Sequence, residues 1–213
     1  EGNALGSLGN AYANLGEVQK AIGYYEESLK IKREIGDRRG EGNALNNLGI
    51  AYARLGEVQK AIGYYEESLK IKREIGDRRG EGNALGSLGN AYANLGEVRK
   101  AIGYFEQALK IDREIGDRRG EGNVLTGLGN AYYSLGEVQK AIGYFEEALK
   151  IKREIGDRRG EGNALGSLGN AYANLGEVRK AIGYYEESLK IKREIGDRRG
   201  EGNALNNLGI AYA

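Results

Sequence analysis

Asparagine returns every 40 residues, at Asn3, Asn43, Asn83, Asn123, Asn163 and Asn203. An amide side chain both donates and accepts hydrogen bonds, so a row of them can engage an extended polypeptide backbone. Four residues before all but the first stands an arginine, at Arg39, Arg79, Arg119, Arg159 and Arg199. A guanidinium adds a planar, permanently charged donor fork. Further polar residues follow within the next few turns: Asn10, Asn46, Arg54, Asn90, Asn94, Asn130, Tyr133, Asn170 and Asn174. The chemistry on offer is recognition.

Catalysis has little to work with. The chain contains no His and no Cys, which removes the common zinc and thiolate sites. A serine or threonine nucleophile would lack its usual base. Gly40-Glu41-Gly42 begins like a phosphate-binding fingerprint, but Leu45 stands where the third glycine belongs, and no strand precedes it. A catalytic site is one asymmetric constellation, whereas this sequence offers the same residues repeatedly. The expectation is a non-enzyme without cofactor or metal.

Lys+Arg number 32 and Asp+Glu 31, a net charge of +1. Bulk electrostatics therefore favour neither nucleic acid nor a membrane surface as a partner. No apolar run approaches membrane-spanning length. Pro and Trp are also absent, and so is Met; the missing Met, with a chain that opens and closes inside a helical pattern, leads to the expectation of a piece of a longer array or a trimmed product. Its compartment stays open, with the cytoplasm favoured over secretion.

The elements that must position these residues are written in the period. One 40-residue unit occurs as Glu1–Gly40, Glu41–Gly80, Glu81–Gly120, Glu121–Gly160 and Glu161–Gly200, and a sixth begins at Glu201–Ala213. Such a period marks a solenoid. In the second repeat, Asp37 is an N-cap candidate, and a helix A is predicted from about Arg38 to Leu55. Ala44, Leu45, Leu48, Ala51, Tyr52 and Leu55 form its apolar stripe. Gly56 breaks the chain, and a helix B is predicted from about Glu57 to Ile75, apolar over half its circumference and so packed on two sides. Glu66–Lys70 and Lys70–Glu74 have the spacing of pairs on its outer face. Lys72 falls inside the apolar arc and is expected to snorkel; Asp112 takes its place one repeat later, suggesting a solvent-reachable seam. Gly49 is expected to permit a close helix approach. Gly40 and Gly42 show no such reason, so the first turn of each helix A should be its least stable part.

Leu5, Leu8, Gly9 and Tyr12, followed by Gly16, Ala21, Tyr25 and Ser28, follow the pattern large–x2–Leu–Gly–x2–Tyr and Ala–x3–aromatic–x2–small. This resembles the tetratricopeptide repeat family, and all five full repeats match. The usual unit is 34 residues; here it is 40, and the proline that normally ends helix B is missing. The longer unit, with Asp37-Arg38-Arg39 and Leu8-Gly9-Asn10, is similar to a long-repeat subgroup that includes the Leu-Gly-Asn repeat protein and Pins-like adaptors. The resemblance implies an all-α, right-handed superhelical solenoid of antiparallel helix pairs, whose A helices line a concave peptide-binding groove. The carboxylate clamp of some relatives is absent, because Gly6, Asn46, Gly86, Thr126 and Gly166 stand where its lysine would be.

Eleven positions vary among the repeats; five of them, Gly6, Ser7, Asn10, Ala13 and Asn14 in the first, share one face of helix A. Swaps such as Tyr25 to Phe105 and Ser28 to Ala108 read as volume-preserving. Most outward residues of helix B do not vary, so exposure alone does not account for the drift on helix A. The leading expectation is a protein- or peptide-binding scaffold. The rival is a structural array without ligand, associating head to tail through Leu5, Leu8 and Tyr12 at one end and Leu205, Leu208 and Tyr212 at the other.

Overall fold

The computed structural model describes residues 1–212. Eleven α-helices follow one another, with no strand among the described residues: α1 (Gly2–Asn14), α2 (Val18–Glu34), α3 (Arg38–Arg54), α4 (Val58–Glu74), α5 (Arg78–Asn94), α6 (Val98–Ile115), α7 (Arg118–Ser134), α8 (Val138–Glu154), α9 (Arg158–Asn174), α10 (Val178–Glu194) and α11 (Arg198–Tyr212). Odd helices are the A helices and even ones the B helices, and observed ends fall within a residue of those expected. The helices form two compact units, Glu1–Ile115 and Gly116–Ala213. In each unit every helix packs on its sequence neighbours, and successive A helices also touch. The architecture is an all-α solenoid of helix pairs.

Local chemistry sets the boundaries. Asp37 Oδ1 accepts from the Gly40 N–H at 2.9 Å, an N-cap that recurs at Asp77, Asp157 and Asp197. Gly36 and Gly56 have φ of +70° and +80°, left-handed conformations that end one helix and release the next at little steric cost.

The expected stripes are the core. In the first unit Leu45 and Leu48 of α3 are fully buried, meeting Ile22, Tyr25 and Leu29 of α2 and Ile71 of α4. In the second unit Leu165 and Leu168 of α9 pack with Phe145 and Leu149 of α8. Full burial of such a side chain contributes roughly 1.5–3 kcal/mol. Each pair is also pinned at its hairpin by stacked tyrosines: Tyr52 and Tyr64 lie 5.3 Å apart, with Lys60 Nζ 5.1 Å from the Tyr52 centroid.

Three expectations change. Lys72 does not snorkel: it is 4 % exposed, and Asp112 at the same place is 3 % exposed. The seam is buried, because the ammonium finds partners inside it. Gly40 and Gly42 do have a packing reason. A Cβ on Gly40 would sit 2.6 Å from Lys32 Cδ, and one on Gly42 3.1 Å from Lys72 Cε. These glycines make room for the lysine stems, so the first turn of helix A is packed where propensity alone predicts weakness. Finally, Glu74 reaches across to Arg38 of α3. The same Arg38 also bonds Glu41 at 2.5 Å, and Arg33 of α2 holds the other Glu41 oxygen at 2.9 Å. Glu41 is buried, so two arginines from consecutive helices neutralise it.

Candidate functional site

The variable face of the A helices contains cavities in each compact unit. In the first, about 320 Å³ is enclosed by Asn10, Asn14, Tyr25, Asn47, Ile50 and Arg54. A neighbouring cavity of about 290 Å³ joins Asn3, Asn10, Lys32 and Asn43. In the second unit, Asn163, Asn170, Lys192 and Asn203 line about 300 Å³. Tyr133, Asn170, Asn174, Val178 and Ile210 line about 510 Å³. The structure thus gathers many residues singled out by spacing alone.

The asparagine row is held by lysines. Lys32 Nζ donates to Asn3 Oδ1, Lys72 Nζ to Asn43 Oδ1 and Lys152 Nζ to Asn123 Oδ1, each at 2.5 Å, and Lys192 pairs with Asn163 in the same way. Each ammonium also meets the capping aspartate of the next A helix, as Lys72 meets Asp77 at 2.9 Å. At Asn83 the series breaks, because Asp112 stands where the lysine would be. These amides are therefore partly engaged within the chain itself. Each oxygen already accepts one hydrogen bond, and the –NH2 donors are not used by the lysine.

The second amide row is fixed differently. The Tyr25 hydroxyl donates to Asn10 Oδ1 at 2.8 Å, and Tyr185 to Asn170 Oδ1 at 2.9 Å. Asn207 Nδ2 also donates to Asn170 Oδ1, at 3.1 Å. Exchange of Tyr25 for Phe105 is accordingly more than a change of volume, because the hydroxyl orients an amide. Asn90 and Asn130, opposite Phe105 and Phe145, are exposed and have no tyrosine hydroxyl at that place. Asn46 Oδ1 is buried without a partner. Arg54 Nη1 donates to the Ala13 carbonyl at 3.0 Å, which ties α3 to α1 across the cavity. Asn94, Asn174 and all five arginines Arg39, Arg79, Arg119, Arg159 and Arg199 are exposed.

Electrostatics follow the contacts. The Lys72 hydrogen bond, then the Gly80 amide, hold the Asp77 carboxyl below its usual range, with the Arg39 charge a smaller cause. Burial pushes the Tyr65 phenol up to about 12. Burial also raises Tyr185, with Tyr133 adding to it.

Of the end residues, Leu8 is 44 % exposed although its counterparts Leu48 and Leu168 are fully buried; Leu205 and Tyr212 are also exposed. Leu5 and Tyr12 are half-buried. Leu208, expected on an open face, is buried against Tyr185 and Leu189 of α10. Helix B on the inner side is enough to cover it. Ala213 lies outside the described residues.

Sequence reasoning missed the lysines and the tyrosine hydroxyls. The signal was present: a lysine inside an apolar arc, always 29 residues after an asparagine, in four of five repeats.

Comparison with known proteins agrees with the fold. No curated protein sequence matches the chain. Among solved structures, BtubC from P. vanneervenii superposes with a TM-score of 0.81 at 24 % identity, over 90 % of this chain and 80 % of that one. The apo form of RapI superposes with a TM-score of 0.91 at 18 % identity, over 100 % and 78 %. A Rap protein complexed with competence and sporulation factor superposes with a TM-score of 0.83 at 19 % identity, over 98 % and 61 %. The tetratricopeptide repeat pattern itself matches residues 1–74, 80–154 and 160–213. With that match over nearly its whole length, the chain belongs to the tetratricopeptide repeat family.

Proposed function

We propose that this chain is a non-catalytic scaffold that binds an extended peptide segment of a partner protein along the A-helix face. The observation that carries the reading is the orientation of the amides. Asn10, Asn43 and Asn170 are each anchored through Oδ1 by a side chain of their own repeat. That leaves donors for the carbonyls of an extended backbone, and the anchoring removes side-chain entropy a ligand would otherwise have to quench. The exposed Ile50, beside Asn10 and Asn47, offers an apolar contact within the same cavity. The Rap protein solved with competence and sporulation factor supports a capacity of this fold to hold a partner, by analogy of fold alone. The 40-residue period and Leu8-Gly9-Asn10 favour the long-repeat, Pins-like subgroup within the family.

A peptide-array screen with the intact chain tests this. Peptides selected by the wild type should be lost by the quadruple variant Asn10→Ala, Asn90→Ala, Asn130→Ala and Asn170→Ala, while its melting temperature stays within a few degrees. An unchanged selection would exclude the A-helix face.

End-to-end association is a second reading, favoured by the exposure of Leu8, Leu205 and Tyr212. Sedimentation velocity over a hundredfold concentration range should then show growing species; a constant monomer removes it.

A further inference from the structure

We propose that the cavity of about 320 Å³ between α1 and α3 receives an acidic side chain of the bound peptide, with Arg54 as its counter-charge; this rests on the peptide-binding reading above. Asn10, Asn14, Asn47, Ile50 and Arg54 line it over Tyr25, and no aspartate or glutamate is among the lining residues. The wall is rich in donors. Asn10 Oδ1 accepts from the Tyr25 hydroxyl at 2.8 Å, which turns the amide without using its nitrogen. Asn47 spends one N–H on the same oxygen at 3.5 Å and keeps the other. Ile50, 38 % exposed, supplies an apolar side against which the methylenes of a glutamate can lie.

Charge is the second, independent feature. Other arginines of this unit are matched by carboxylates: Arg33 and Arg38 share Glu41, and Arg73 and Arg78 share Glu81. Arg54 has a partner of another kind. Its Nη1 donates to the Ala13 carbonyl at 3.0 Å, a neutral acceptor that uses one of five N–H groups and leaves the positive charge whole. That bond also holds the guanidinium against α1, at the edge of the cavity. The charge is felt beneath the cavity: burial raises the Tyr25 phenol, and Arg54 works against the rise. Other repeats carry Asn14, Asn94, Ser134 and Asn174 at this place, so the cation is particular to the second repeat. A carboxylate takes charge-assisted hydrogen bonds from the guanidinium fork and further ones from the amides beside it. One guanidinium balances one carboxylate, whereas a phosphate ester would bring nearly twice the charge. The second repeat would thereby set the register of the peptide, with an acid selected at one point along it.

The test uses the whole chain and two blocked tripeptides, N-acetyl-Ala-Glu-Ala methylamide and its uncharged isostere N-acetyl-Ala-Gln-Ala methylamide. The side-chain NH2 resonances of Asn10 and Asn47 are followed by NMR during titration. The glutamate probe should shift them saturably in the wild type, and the glutamine probe should bind about tenfold more weakly. In Arg54→Asn the two probes should become equal. That variant copies the residue of the first, third and fifth repeats, so its fold is expected to be intact, and circular dichroism checks that. Equal responses to the two probes in the wild type, the same shift with sodium chloride, an undiminished glutamate preference in Arg54→Asn, or tighter binding of inorganic phosphate overturns the proposal. A peptide array read in parallel separates the two readings. Peptides bound by the wild type and by Arg54→Asn with the same acid content sink the acid receptor alone. An array with no bound peptide, beside a saturable glutamate shift, sinks the peptide scaffold alone.

Discussion

Lys72 Nζ lies 2.5 Å from Asn43 Oδ1 and 2.9 Å from Asp77 Oδ2, so one buried ammonium joins the face of α3 to the cap of α5. Replacing it with an apolar residue of similar length leaves both acceptors without their donor. Lys72→Met is expected to cost about 2 kcal/mol, read as a lower urea midpoint with an unchanged m-value. A neutral outcome would mean that the ammonium adds nothing beyond its stem.

The same contact sets the acid limit of the fold. Asp37 and Asp77 both titrate below the usual carboxylate range, first because of their lysine hydrogen bonds. A depressed folded pKa contributes stability that is present above the unfolded value, about 4, and is lost as the pH falls through the folded value. Melting temperature should thus be level from pH 7 to about 5 and fall steeply below about 4. In Lys72→Met the fall should be shallower.

The alkaline limit has another origin. Tyr65 is held neutral by burial up to about pH 12. A raised folded pKa gives stability that is complete below the unfolded value of about 10 and is lost as the pH climbs towards the folded one. Tyr65→Phe, which copies Phe105 and Phe145, should keep the fold at neutral pH and remove part of the loss between pH 10 and 12. Equal alkaline melting curves for the two chains would contradict this.

Two glycines on consecutive helices should respond oppositely to alanine. On Gly49 a Cβ would enter the Tyr65 ring, 3.0 Å from Cζ, so Gly49→Ala should cost roughly 1–3 kcal/mol. A Cβ on Gly63 meets nothing within 4 Å, so Gly63→Ala should stabilise α4 by up to about 1 kcal/mol. Chemical denaturation of the two single variants decides both signs.

A hydroxyl exchange between repeats suggests a compensating pair. Ser68 Oγ donates to the Gly42 carbonyl at 2.8 Å, and Ser188 treats Gly162 alike. In the fourth repeat the serine is Ala148, and Thr126 Oγ1 of helix A donates to the equivalent Gly122 carbonyl at 2.9 Å. Ser68→Ala should cost about 1 kcal/mol, and adding Asn46→Thr should recover most of it. The second change also removes the unpartnered Asn46 oxygen. A double-mutant cycle without coupling would show that the two hydroxyls are unrelated.

The helices were legible because period, stripe and punctuation agree. Asp37, Gly36 and Gly56 mark the ends, and Leu45 and Leu48 the core, in a spacing with one solution. The site was legible only as a set of positions. Asn10 and Asn43 were placed correctly on helix A, but which atoms they would keep for a ligand depends on side chains 15 and 29 residues away in sequence. Propensity misjudged Gly42 for the same reason, since the stem it accommodates comes from the following helix. Lys72 was visible as an anomaly, a charge in an apolar arc. Local patterning offers no partner for such a charge, so snorkelling to water was the natural expectation. The fold instead brings two acceptors to it.

The lysine stitch has a metric consequence. Within the first compact unit, the Lys72 ammonium, carried by α4, bonds both Asn43 on α3 and Asp77 at the cap of α5. The spacing between these two adjacent A helices is therefore gauged at this point by two hydrogen bonds to a single nitrogen. If a peptide binds as proposed, it would meet the amide donors of this face at that interval, and one that repeats its contacts out of step with it would engage only one rung at a time.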